Sequence, residues 1–129
     1  MISFQAFRQT DGTPIYLQII RYIQQGLAAG TIRDGDELPS RRVLSSLLAV
    51  NPNTVQKAFR LLEDEGLVTS RAGAKSYIQA APEQIAVLRR ELLETELQTM
   101  VDAARRMGLT REEAHRLLDT LYDKEGTDA

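Results

Sequence analysis

SRRVLSSLLAVNPNTVQKAFRLLEDEG, residues 40–66, is the stretch whose reading decides the fold. It divides at Asn51-Pro52 into two short helical segments. Ser40 is a good N-cap for the first, because its hydroxyl can accept from an otherwise unpaired N–H of the opening turn. Pro39 before it disfavours helix at Leu38. In the first segment Val43, Leu44, Leu47 and Leu48 are expected to point inward, leaving Arg41, Arg42, Ser45 and Ser46 polar, with an end near Ala49-Val50. Asn51 is a strong N-cap for the second segment, and Pro52 sits at N1, where its missing N–H costs nothing. Gly66 is the expected stop, as a residue that accepts the left-handed conformation after a helix.

The second segment carries the functional signal. At about 100° per residue, Val55, Ala58, Phe59 and Leu62 fall on one face and Asn53, Gln56, Lys57 and Arg60 on the other. An ordinary solvated helix mixes Glu with Lys for local pairing. Here the outward side chains are two amides and two bases, the residue types that pair with adenine and guanine edges in the major groove. No acid occurs between Glu37 and Glu63, while Arg41, Arg42, Lys57 and Arg60 fall in that gap. The chain's net charge of −2 hides this, since residues 1–79 hold nine Lys/Arg and seven Asp/Glu (+2) and residues 80–129 hold seven and eleven (−4). Local charge, not the total, draws a protein to phosphate.

Downstream, Leu67-Val68-Thr69-Ser70 and Ser76-Tyr77-Ile78-Gln79 read as two short strands around the basic turn Arg71-Ala72-Gly73-Ala74-Lys75. Upstream, residues 1–13 form a turn-rich leader, Pro14 suits a helix start, and Tyr16, Ile20, Ile23 and Leu27 make one apolar stripe ending near Gly30. Gln18 lies off that stripe, and residues 31–38 read as a connector turning at Gly35. Helix, helix, helix, hairpin is the order of a winged helix-turn-helix. The fold class is therefore mainly α with a small β-hairpin. We place a DNA-binding domain at residues 1–79 and a helical dimerisation region at 80–129.

In the second region, Pro82 opens a long helical pattern reaching Met107, and Gly108 is its stop. Thr110 and Glu113 form a capping box for a last helix, after which residues 123–129 are expected to fray. Two helices of roughly 25 and 13 residues are too little structure to enclose a ligand pocket, yet their apolar faces need cover. A second copy of the chain supplies it, with Leu93, Leu97, Met100, Leu117, Leu118 and Leu121 as the expected interface. The acidic balance is the wrong sign for an anionic membrane surface.

Other classes fare poorly. There is no cysteine and one histidine, so no disulfide, thiol or metal chemistry is expected, nor any cofactor. His115 lies beside the apolar face of the last helix without a nucleophile or base partner. The acids Glu112 and Glu113 read as first-turn residues complementing the helix dipole. No secretory signal or apolar run of roughly 20 residues is visible, so a cytoplasmic protein without a membrane span is expected. A winged helix that binds only protein is the remaining rival, and the acid-free outward face argues against it.

The run GDELPSRRVLSSLLAVNPNTVQKAFRLLEDEGLV resembles the GntR family of bacterial winged-helix repressors. Gly35, Leu38, Pro39, Ser40, Arg42, Leu44, Val50, Thr54, Val55, Ala58, Leu62, Gly66 and Leu67 match its pattern, and Pro14-Ile15-Tyr16 with Gln18 and Ile19 resembles its opening. The NPNTV run and the short two-helix tail resemble its YtrA-like branch. The likeness is close over residues 14–79 and rests on length and helical character beyond. It implies a dimeric repressor of double-stranded DNA bearing an inverted repeat. Arg42, Asn51, Asn53, Thr54 and Gln56 would be at the DNA, with the wing around Gly73. With Ser40, Arg41, Lys57, Arg60, Arg71 and Lys75 these make up the expected DNA-binding set. Departures from the pattern are Arg41 where Glu is frequent, Lys75 in place of a second wing glycine, Ala72 and Ala74 where bases are frequent, and Ser45 where Ala is common. No small-molecule effector is evident in the sequence; one would have to bind at the dimer interface or between the two regions.

Overall fold

Residues 1–71 and 75–128 are described by a computed structural model. Among them the order is α1 (Ile15–Ala29), α2 (Arg41–Leu48), α3 (Pro52–Asp64), β1 (Val68–Arg71), β2 (Lys75–Ile78), α4 (Pro82–Arg106) and α5 (Arg111–Asp128). This is a winged helix-turn-helix followed by a helical pair. Two compact units divide it, Met1–Arg90 and Glu91–Ala129. The first therefore extends beyond residue 79, because the start of α4 buries Leu88 and the linker before it buries Ala80.

In the first unit the core forms where α1 and α2 pack on α3. Ile19, Ile23, Leu27, Leu44, Val55, Phe59 and Leu62 are all under 3% exposed. Burying such side chains is worth roughly 1.5–3 kcal/mol each. The inward face of α2 differs from the expected one. Val43 and Leu47 are 55% and 63% exposed, whereas Leu44 is fully buried and Ser45 is 5% exposed. Ser45 tolerates burial because its hydroxyl donates to the Arg42 carbonyl at 2.9 Å, which satisfies the group within its own helix. The position takes a small side chain, which suits either Ser or Ala.

Two further segments join this core without a periodic signal. The leader lays Ile2, Phe4 and Phe7 into it, and Phe4 stacks on Tyr22 of α1 at 4.8 Å between centroids. Gln18, set off the apolar stripe by its polarity, is buried. Its Oε1 accepts from the Thr10 N–H at 2.9 Å, and its Nε2 donates to the carbonyls of Thr10 and Thr13 at 2.9 and 2.7 Å. The connector before α2 runs along β2. Gly35 N–H donates to Ile78, Ile78 N–H to Asp36 and Leu38 N–H to Ser76, with a Glu37–Tyr77 bridge between. β2 thus has a neighbour on each side, the other being β1 in the antiparallel register Val68–Ile78 to Arg71–Lys75.

The turn from α2 to α3 is made at Ala49, a non-glycine residue at φ 56°. Its N–H bonds back to Ser45 and Ser46, and Val50 N–H bonds to Ser45 at 3.0 Å. The left-handed conformation costs an L-residue roughly 1–2 kcal/mol, offset for glycine by roughly 0.5–1 kcal/mol of extra unfolded freedom. Ala49 is exposed, so its methyl adds little packing. Ala49→Gly is expected to raise stability by about 0.5–1 kcal/mol in urea unfolding; a lower midpoint would mean that the methyl packs in the folded turn.

In the second unit, Gly108 at φ 74° ends α4, and the expected capping box opens α5. Thr110 N–H donates to Glu113 Oε1, and Glu113 N–H donates to Thr110 Oγ1, both at 3.1 Å. The Thr110 N–H first, and then its hydroxyl, hold the Glu113 carboxyl below its ordinary value. A depressed folded-state pKa means this contribution is present above the unfolded value and is lost as pH falls through the folded one. α5 continues to Asp128, beyond where fraying was expected. Val101, Ala104, Leu109, Ala114 and Leu118 are half-buried within the pair. An open cleft of about 410 Å³ lies at the bend, between Val101, Ala104 and Leu109 on one side and Ala114 and His115 on the other. Leu93, Leu97, Leu117 and Leu121 remain 49–53% exposed and Tyr122 73%.

Candidate nucleic-acid interface

Both helices of the central motif are capped by side chains. Ser40 Oγ accepts from Val43 N–H at 3.1 Å, and Asn51 Oδ1 accepts from Asn53 N–H at 2.8 Å. Ser40 and Asn51 therefore have their oxygens engaged in starting α2 and α3, and Pro52 at N1 completes the second start. Thr54, whose N–H bonds the Asn51 carbonyl, is half-buried.

The faces of α3 are those the periodicity predicts. Val55, Ala58, Phe59 and Leu62 are at most 1% exposed; Asn53, Gln56, Lys57 and Arg60 are exposed. Among the described residues, the side chains of Asn53, Gln56 and Arg60 make no hydrogen bond or ion pair. Lys57 differs, its Nζ standing 4.0 Å from the centre of the Tyr16 ring on α1. A cation over an aromatic face is held electrostatically, so Tyr16 restricts where this ammonium can reach.

Of the paired arginines opening α2, Arg42 is exposed and Arg41 is half-buried. Arg41 Nη2 lies 3.6 Å from Glu63 Oε1, and its guanidinium carbon lies 5.4 Å from the Phe59 ring centre. In the hairpin, the Arg71 guanidinium sits 4.4 Å from the Tyr77 ring centre, and Lys75, opposite Arg71 in the register, is exposed. Gly73, with Ala72 and Ala74, lies outside the described residues. Tyr16, Glu63 and Ser70 were not singled out from sequence for the interface. Their contacts join residues far apart in the chain, and no local spacing announces them. Among the described residues no group of His, Cys, Asp and Glu could hold a metal, and no helix is long and apolar enough to cross a membrane.

The family described as bacterial regulatory proteins, gntR family, matches residues 15–78. The HTH-type transcriptional repressor YtrA of Bacillus subtilis (strain 168) is 34% identical over 106 residues, covering 81% of this chain and 82% of that protein. Among solved structures, a GntR family transcriptional regulator from Listeria monocytogenes has a TM-score of 0.79 at 28% identity, covering 87% of this chain and 98% of that one. YtrA from Sulfolobus acidocaldarius, a GntR-family transcription factor, has a TM-score of 0.57 at 31% identity, covering 78% and 99%. With the motif, hairpin and helical tail in the same order, this chain belongs to the GntR family of bacterial transcriptional regulators, in its short YtrA-like form.

Proposed function

We propose that the protein is a cytoplasmic, homodimeric repressor that occludes a promoter by binding an inverted-repeat operator. The observation that carries this is the outward face of α3, with Asn53 and Gln56 unpartnered among the described residues, Lys57 and Arg60 beside them, and no carboxylate before Glu63 and Asp64 at the end of the helix. Inserted in a major groove, the two amides read base edges while the bases meet guanine or phosphate. Arg42, in the first turn of α2, and the hairpin residues Arg71 and Lys75 meet the neighbouring backbone. Ser40 and Asn51, at the starts of α2 and α3, stand where those helices meet the duplex. The DNA-reading function belongs to the first region and pairing to the second, where Leu93, Leu97, Met100, Leu117, Leu118 and Leu121 meet their copies. A two-fold dimer places two such helices on one face of the duplex, so the operator mirrors that symmetry. Likeness to a protein named a repressor supports the sign of the regulation. Neither cofactor nor effector enters this scheme.

Selection of bound sequences from a random duplex pool tests the reading. The expected outcome is enrichment of two inverted half-sites at a fixed spacing near a multiple of roughly 10 base pairs. Enrichment of a single unrepeated site would remove the dimeric operator, and no enrichment would remove DNA reading altogether.

A further inference from the structure

The first turn of α2 contains two arginines and no acid. A helix N-terminus carries positive partial charge, so cations there are disfavoured unless something compensates. For Arg42, exposed at the surface, DNA phosphate is the compensating group under the function proposed above. Arg41 has a different one. Its side chain is only 29% exposed and its Nη2 lies 3.6 Å from Glu63 Oε1. Among the described residues its buried Nε has no hydrogen-bond partner, and its guanidinium lies against Phe59, one turn of α3 before Glu63. The charge is directed along α3 and not outward.

The same Glu63 oxygen accepts the Ser70 hydroxyl at 2.7 Å. One carboxylate on α3 therefore holds the first residue of α2 and a residue of β1. On the other strand, Ser76, which faces Ser70 in the register, receives the Leu38 N–H just before α2. We infer that Arg41, Glu63 and Ser70 form a clamp that fixes the wing hairpin relative to α3, with Arg41 acting as a positioning residue instead of a DNA ligand. A lone exposed ion pair contributes little. This one is half-buried, shares its carboxylate with a hydroxyl and stacks on an aromatic ring, so its members support one another. Its effect on function is geometric. Helix and wing bind as two linked contacts, and the second adds affinity only if both can engage at once.

This inference rests on the DNA-reading proposal, and the test separates the two. Full-length protein is titrated on its selected duplex at several salt concentrations, with hydroxyl-radical footprinting of each complex. Arg41→Met, Glu63→Gln and Ser70→Ala are each expected to weaken binding roughly fivefold. They lose protection on the backbone beneath the wing and flatten the salt slope by no more than the wing's own phosphate contacts, while protection beneath α3 persists. Arg42→Met flattens the slope by about 0.9 for each phosphate that is no longer neutralised and keeps the wing footprint. Exchanging the pair, Arg41→Glu with Glu63→Arg, is expected to recover the wing footprint. Ser70→Ala removes one exposed hydroxyl and keeps the fold, so the wing footprint remains readable even if a change at Arg41 destabilises the protein. An Arg41→Met variant that flattens the slope with the wing footprint intact would make Arg41 a phosphate ligand and overturn the clamp. Unchanged footprints in all three variants would overturn it as well. Failure of the wild-type protein to bind any duplex would instead overturn the DNA-reading proposal beneath it.

Discussion

Phe59→Ala is expected to unfold the first unit at moderate temperature and to abolish every function that depends on it. The ring is 1% exposed, on the helix that both α1 and α2 pack against. Truncating a buried Phe to Ala costs roughly 3–5 kcal/mol, because transfer free energy is lost and the cavity relaxes only in part. Domains of this size hold about 5–15 kcal/mol in all, so the loss is a large share of the total. The melting temperature, followed by helical circular dichroism, should fall by at least about 12 °C. Leu97→Ala is the informative control. Leu97 is 49% exposed in the single chain, where such a change shifts stability by less than about 0.5 kcal/mol. A large, concentration-dependent loss for Leu97→Ala would show that a second copy covers it. A Phe59→Ala melt near that of the parent would mean that the α3 core is less tightly packed than its burial indicates.

The contrast between these leucine and phenylalanine positions also shows what the sequence makes legible. α3 is 13 residues long, enough turns for its apolar and polar faces to separate by periodicity, and all eight assigned positions fall on the expected sides. α2 has only eight residues. Over two turns the stripe through Val43 and Leu47 looks as apolar as the one through Leu44 and Leu48, and only packing on α3 selects between them. The selection buries a serine, whose hydroxyl is satisfied by its own helix, and leaves a valine and a leucine in solvent. The leader and the connector were illegible for a different reason. Ile2, Phe4 and Phe7 follow neither a helical nor a strand period. The Tyr22 hydroxyl that holds Ser3 is 19 residues away. Gly35 and Leu38 pair with a strand some 40 residues downstream, and such pairings leave no local mark. The same holds at the interface. Residue types and phase put Asn53, Gln56 and Arg60 on the exposed side of α3, whereas the surroundings of Arg41 depend on a carboxylate from another helix.

Raising salt from 50 to 200 mM is expected to weaken operator binding by about 10³-fold, a larger change than any single substitution at the reading face would cause. The basic residues left facing solvent around α3 are Arg42, Lys57, Arg60, Arg71 and Lys75. If about three per subunit meet phosphate, a dimer displaces counterions from about six phosphates, and log K against log salt falls with a slope near −5. Gln56→Ala isolates the other half of recognition. An amide carries no charge, so the slope should stay near −5 while affinity for the selected operator falls by about 1–3 kcal/mol and discrimination at one base pair relaxes. Equal weakening on operator and random duplex would show that Gln56 positions the helix without reading a base. A wild-type slope near zero would remove phosphate neutralisation from the mechanism, and the run without acid between Glu37 and Glu63 would then need another explanation. The two measurements are independent because salt reports the bases and sequence discrimination reports the amides. From Asn53 to Arg60 the outward face of α3 offers only those two residue types, so each half of it can fail without the other.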